Sequence, residues 1–330
     1  MADFIKIADG AGFAAVQSDV RILVIGGGRF AGRHIVELAS DKHQVTVFNR
    51  GKSSLSAPAG VEEVHGDCET DLGLFAGREW DAVVDMRGYV PRVVGIACEA
   101  LASAKTYLFI STISVYADSE ERIDEDSARE TLADPSSETV DGETYGGLKA
   151  LCEDVVVDAF GPRALIVRPG MIVGPLDPTD RLTWWVARAA DGGRMPAIGT
   201  AASAMQYIDA RDLAAWMLHA LETGVKGVFN LTGEPTTLGA TLSAAGDAEV
   251  LFVSATEAEA RGVEASAFAW SVPEGRESLW DVDISRALSS GLALRPIEKT
   301  VRDTVAWHRT RVGHEWKAGL SPEQEKALLT

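Results

Sequence analysis

Tyr145 and Lys149 stand four residues apart in ETYGGLKALCEDVV, a stretch with helical character. That spacing puts both side chains on one helical face. A phenol with a pKa near ~10 is a poor base at neutral pH. A neighbouring ammonium favours the phenolate and lowers that value. So paired, a tyrosine can take a proton from an alcohol or return one to a carbonyl. Of the five tyrosines, only Tyr145 has lysine at this offset. Upstream, FISTISVYAD carries Ser111 and Thr112 at what reads as a strand end. A hydroxyl there can hydrogen-bond a reacting oxygen, or it can satisfy nearby backbone groups instead.

Gly26-Gly27-Gly28-Arg29-Phe30-Ala31-Gly32 lies where the apolar run RILVIG gives way to helical spacing in FAGRHIVELAS. A dinucleotide site needs glycine at such a turn. The turn is tight, the backbone must approach a pyrophosphate, and the helix must pack on the strand. The helix N-terminus then offers unpaired N–H groups to phosphate. Gly26, Gly28, Arg29, Phe30 and Gly32 are the predicted cradle; glycines used for packing alone are the alternative. A second strand, QVTVFN, ends at Asn49-Arg50. An NAD site places an acid here for the ribose 2′-hydroxyl, whereas an NADP site accommodates a cation. Asn49 removes the repelling carboxylate, and Arg50 offers a bidentate partner for a 2′-phosphate. Arg29 can reach the same phosphate. NADP(H) is therefore expected over NAD(H). Asp67, with Cys68 beside it in HGDC, is placed to accept from an adenine amino group, unless it is an ordinary turn aspartate.

The elements that must hold these residues alternate. VEEVHG, WDAVVDM, TYLFIS and ALIVRP read as further strands, with VVGIACEALAS a helix between two of them. That rhythm predicts an α/β protein of Rossmann type, a doubly wound parallel sheet with helices on both faces. Residues 21–170 form the dinucleotide-binding domain in this reading. Residues 171–330 are mainly a smaller mixed α/β substrate lobe, with segments around 204–232 returning to the sheet. Residues 1–20 carry three aspartates and no basic start, so they read as an arm and not as a signal peptide. Ser321, Pro322 and Gln324 announce a short terminal helix with a capping box.

Composition narrows the function. The chain has 330 residues, 46% hydrophobic and 24% charged, enough to bury a real core. A net charge of −18 repels phosphate backbones, so no nucleic-acid partner is expected. No run approaches the ~20 apolar residues a bilayer needs. Cys68, Cys98 and Cys152 make neither a disulfide framework nor a metal motif, and the six histidines lack ligand spacing. No metal is expected, and a reducing cytoplasm fits. Residues 117–144 hold eleven acidic residues against two arginines, half of the net charge. They read as a solvated loop or as a substrate-side flap.

GGGRFAG, STISVYAD, YGGLK, VRPGMIVGP and QYIDARDLA, in this order, resemble the extended short-chain dehydrogenase/reductase superfamily, the NAD-dependent epimerase/dehydratase group. The resemblance spans about Arg21 to Arg309. It implies that Thr112, Tyr145 and Lys149 are catalytic, that Lys149 also holds the nicotinamide ribose, and that Arg168 lies beside the nicotinamide. It further implies a homodimer. Three departures stand out. Arg29 replaces the middle glycine of G-x-x-G-x-x-G. Asp85-Met86-Arg87-Gly88 replaces a His-Leu-Ala-Ala type of segment, which turns Arg87 and Tyr89 toward substrate. Thr112-Ile113-Ser114 replaces the Thr-Asp-Glu of sugar-nucleotide 4,6-dehydratases, which disfavours dehydration. In the second half, Met171, Asp180, Arg181, Trp184, Trp185 and Gln206 are candidate substrate contacts, while Asp209 and Asp212 cap and orient a helix. Packing is the alternative for the two tryptophans.

The implied activity is an NAD(P)-dependent oxidoreductase acting at a hydroxyl or keto carbon of a small molecule. The alternative is a nucleotide-sugar epimerase working through a transient ketone. A non-catalytic dinucleotide-sensing or RNA-associated scaffold is third.

Overall fold

The computed structural model describes residues 19–52, 56–264, 267–268 and 277–330. Most of the arm at 1–20 lies outside the described residues. Six strands build the first half: β1 (Arg21–Ile25), β2 (Gln44–Asn49), β3 (Glu62–His65), β4 (Ala82–Asp85), β5 (Tyr107–Ile110) and β6 (Ala164–Pro169). Between them run helices α1 (Phe30–Ser40), α2 (Pro91–Ala100) and α3 (Tyr145–Phe160). The second half adds strands β7 (Met171–Val173), β8 (Arg194–Ile198), β9 (Ala204–Met205), β10 (Tyr207–Asp209), β11 (Gly227–Leu231), β12 (Thr236–Thr237) and β13 (Glu249–Val253). Its helices are α4 (Thr183–Ala190), α5 (Ala210–Thr223), α6 (Leu238–Ser243), α7 (Ala255–Ala260), α8 (Ser285–Ser289), α9 (Ile297–His308) and α10 (Pro322–Leu329).

Seven strands form one parallel sheet in the order β11-β6-β5-β4-β1-β2-β3. The fold is the Rossmann-type α/β architecture. Strands β1, β4, β5 and β6 are apolar nearly throughout because helices cover both sheet faces. On one face α1 and α5 close a core around Ile35, Val36, Leu213 and Trp216. On the other α2 and α3 close a second around Val94, Phe109, Cys152 and Phe160. A third core, around Trp185, Met195 and Phe268, belongs to the second half, where β8 pairs with β13.

The chain leaves β1, builds β2 and β3 on one side, then returns to β4 on the other. Ile25 therefore stands between Phe48 and Asp85 in register. The crevice beyond these strand ends is where an open α/β sheet binds ligands. Ser321 and Gln324 form the full capping box at the start of α10.

Candidate active site

Local chemistry starts α3 at the right place. Asp141 accepts from the N–H groups of Glu143 and Thr144, at 2.9 and 3.0 Å, and its own carbonyl accepts from Tyr145. The two glycines after Tyr145 have a steric reason. A methyl on Gly146 would collide with the Ser114 carbonyl, and one on Gly147 with Leu132. Side-chain-free backbone lets the first turn of α3 lie against the end of β5, which brings Tyr145 to Thr112.

Thr112 caps the short turn 113–115 by accepting from the Ser114 N–H at 3.1 Å. Its hydroxyl lies within hydrogen-bonding reach of the Tyr145 phenol. Burial raises the Tyr145 pKa, while the Thr112 contact and the Arg181 charge oppose the rise. Lys149 is fully enclosed. Its ammonium donates to the carbonyls of Gly88 at 2.5 Å and Ile110 at 2.6 Å, and lies 4.0 Å from the Phe109 ring centroid and 5.5 Å from that of Tyr89. Desolvation lowers its pKa to about 8. Two of the three Lys149 N–H groups are thus taken by backbone carbonyls, and the nearby charge that opposes the rise at Tyr145 is that of Arg181. Ser111, beside them, is buried and its hydroxyl has no partner among the described residues.

These groups border a cavity of about 580 Å³. Gly26, Phe30 and Gly32 from the glycine turn, and Met171, Arg87, Tyr89 and Arg181, border it too. Its charged lining residues are Arg29, Arg87, Lys149 and Arg181, with no carboxylate among the described residues. In a chain of net charge −18, that cavity is a local concentration of positive charge. A second cavity of about 380 Å³ adjoins it, bordered by Gly28, Asn49, Arg50, Asp67 and Cys68. Asn49 is committed locally: its amide donates to Glu63 at 2.8 Å and its oxygen accepts from Gly51. Asp67 accepts from the Glu69 N–H at 3.0 Å, so it is also a turn aspartate. Burial pushes the Cys68 thiol up to about 11. Arg29 donates to the Lys52 carbonyl at 2.9 Å.

The structure fits a nicotinamide dinucleotide. Ser111 offers an orphaned hydroxyl at the cavity wall. Helix α1 starts without a side-chain cap and without an acid in its first turn, which leaves its N-terminus suited to phosphate.

Five expected contacts, Arg168, Gln206, Trp184, Trp185 and Asp180, border neither cavity. Arg168 is buried and borders neither cavity. It donates to both Glu153 oxygens, at 2.9 and 2.6 Å, to the Tyr116 hydroxyl and to the Glu125 carbonyl. It ties α3 to the sheet. Gln206 is buried, donating to the carbonyls of Gly233 and Val282 and accepting from the Val282 N–H. Trp184 packs in the second-half core against Trp185. Asp180 is buried on Arg311 and His314, at 2.8 and 2.6 Å, which anchors the loop that carries Arg181. Asp209 does cap α5, accepting from Arg211.

None of residues 117–144 borders the larger cavity. Glu125 accepts from the Asn230 N–H and Arg129 pairs with Glu153 and Asp154, so the acidic segment is stapled behind α3. Sequence reasoning missed Lys52, which borders the smaller cavity, and Leu279 and Trp280, which border the larger. Lys52 follows Arg50 closely enough to have been found as part of a basic turn. Nothing around Trp280 in the sequence marks it.

The model of the NAD dependent epimerase/dehydratase family matches residues 22–232, so the chain belongs to that family. A UDP-glucuronic acid 4-epimerase from Bacillus cereus, solved with NAD, shares the fold with a TM-score of 0.65 at 15% identity, over 88% of this chain and 96% of that one. A dTDP-glucose 4,6-dehydratase from Bacillus anthracis, also with NAD, gives 0.66 at 15% identity, over 89% and 97%. Among curated proteins, the chloroplast stem-loop binding protein of 41 kDa b from Arabidopsis thaliana is 26% identical over 249 residues, 68% of this chain. The chain spans 62% of that relative's length. Among the described residues, no helix is long and apolar enough to cross a membrane.

Proposed function

We propose that the protein is an NADP(H)-dependent oxidoreductase that acts on a hydroxyl or keto carbon of a small molecule. The observation that carries this reading is the meeting of Tyr145 and Thr112 on a cavity shared with the glycine turn. The nicotinamide ring, when bound, supplies hydride exchange with the substrate carbon. Tyr145 passes the proton to or from the substrate oxygen, and Thr112 holds that oxygen in line. Lys149 braces Gly88 against Ile110 and so fixes the floor of the site. Arg181 supplies the positive charge that favours the phenolate. Gly26, Gly28, Phe30 and Gly32 would carry the pyrophosphate.

The NADP(H) preference rests on Arg50, Lys52 and Arg29 around the smaller cavity, at a strand end that carries Asn49 in place of an acid. Dehydration is disfavoured because Ile113 and Ser114 supply no carboxylate pair to the cavity. Epimerisation through a transient ketone uses the same residues and is the second reading, favoured by the family membership. Absorbance at 340 nm during turnover separates the two: net change supports the oxidoreductase, and product without net change supports the epimerase. The third reading, an RNA-associated scaffold, has beside it a curated relative named as a stem-loop binding protein and is opposed by the net charge of −18. RNA affinity that survives physiological salt would reinstate it.

A further inference from the structure

Two departures from the family pattern meet at one point. Arg87 follows β4, and its backbone N–H donates to Asp85 at 2.8 Å. Its stem then lies directly on Gly26, so closely that a β-carbon on Gly26 would overlap the arginine Cγ and Cδ. Gly26 also has φ +89°, in the left-handed region, so glycine is required there twice over. From this seat Arg87 borders both cavities, along with Gly26, Arg29 and Tyr89. Its guanidinium lies 5.8 Å from the Tyr89 ring centroid. Arg87 is exposed, and among the described residues no carboxylate forms an ion pair with it. Arg29, at the position of the missing middle glycine, donates instead to the Lys52 carbonyl on the side of the smaller cavity.

We propose that Arg87 is a phosphate ligand that clamps the cofactor's pyrophosphate against the glycine turn. This inference rests on the dinucleotide reading of the two cavities. A dinucleotide that fills both must cross Gly26 with its two phosphates. On one side of that crossing stands the start of α1, whose N–H groups favour an anion. On the other stands a guanidinium, whose planar fork matches phosphate oxygens in a bidentate pair. Arg87 thus supplies charge at the turn whose middle glycine has become Arg29. The earlier expectation made Arg87 a substrate contact; the clamp makes its effect independent of substrate.

The test compares two ligands on the full-length protein. 2′-Phospho-ADP-ribose carries the pyrophosphate without the nicotinamide, and adenosine 2′-monophosphate lacks the pyrophosphate. Arg87→Ala should weaken the first about tenfold or more and leave the second within twofold. Arg87→Lys should recover part of the loss, because it keeps the charge and loses the fork. A melting curve confirms that each variant is folded. Equal losses for both ligands, or none for either, would overturn the clamp. So would unchanged binding with a raised substrate KM at saturating cofactor, which returns Arg87 to the substrate. If the wild type binds neither of these ligands nor ADP-ribose, which lacks the 2′-phosphate, the dinucleotide reading itself fails and the clamp fails with it.

Discussion

Successive turns of α3 carry two opposite kinds of polar chemistry. The first turn presents Tyr145 to an open cavity, next to a Ser111 hydroxyl that has no partner among the described residues. Two turns on, Glu153 is buried and accepts from Arg168 and Arg129. Arg168 in turn is filled by Glu153, Tyr116 and Glu125. Buried polar groups in folded proteins are satisfied almost without exception. A saturated network of this kind holds a scaffold in register. An unsaturated hydroxyl on a cavity wall leaves a hydrogen bond for a ligand or a water to complete.

The sharpest way to break this contrast is to exchange the chemistry of one region while leaving the other alone. Tyr145→Phe removes the proton carrier and should lower turnover by about 10²–10⁴-fold, with cofactor binding and melting temperature unchanged. Activity within a few-fold of the wild type would reject the assignment. Arg168→Met should do the reverse. It leaves Glu153 buried without its bidentate partner, a loss of about 3–5 kcal/mol in denaturant unfolding. Cofactor affinity of the folded fraction should hold, and a large selective loss of affinity would restore Arg168 to the cofactor site.

Gly146→Ala joins the two regions. Its methyl meets the Ser114 carbonyl, so the start of α3 must move and Tyr145 with it. Displacing a catalytic group by an ångström costs on the order of 10²-fold, so kcat should fall by about that factor; a kcat equal to the wild type would show that the close approach is dispensable. Arg50→Ala sharpens the cofactor end. It should weaken NADP(H) about tenfold and spare NAD(H), and equal weakening of both in titrations would remove the preference.

The smallest effect concerns Lys149. Its folded pKa of about 8 lies below the ordinary 10.5. Between those values the unfolded chain binds the proton and the folded chain does not, so stability should rise with pH across that window. Lys149→Met should flatten the rise, as followed by denaturant melts from pH 8 to 10. An unchanged slope would mean that the ammonium is not desolvated.

Much of the frame was legible in the sequence because its causes are local. Apolar strands covered on both faces, the glycine turn into α1, and the Ser321–Gln324 box each depend on near neighbours. Residue type and spacing singled out Tyr145 and Thr112, which border one cavity. The misplaced residues share a different property: their partners are distant in the chain. Gln206 is satisfied by Gly233 and Val282, Asp180 by Arg311 and His314, and Arg168 by Glu125 and Tyr116. A polar residue at a strand end or in a loop looks the same in sequence whether it faces ligand or a remote carbonyl. Lys149 borders the cavity as its spacing from Tyr145 suggests, while its two carbonyl partners are invisible to spacing.

The most direct test of the central claim is the pH dependence of substrate oxidation by the wild type and Tyr145→Phe. Only the phenolate can accept the alcohol proton, so the wild-type rate should climb with pH to a plateau through one ionisation. The residual rate of the Phe variant should lack that ionisation. A Phe variant that retains the wild-type inflection would contradict the account, because some other group would then be carrying the proton.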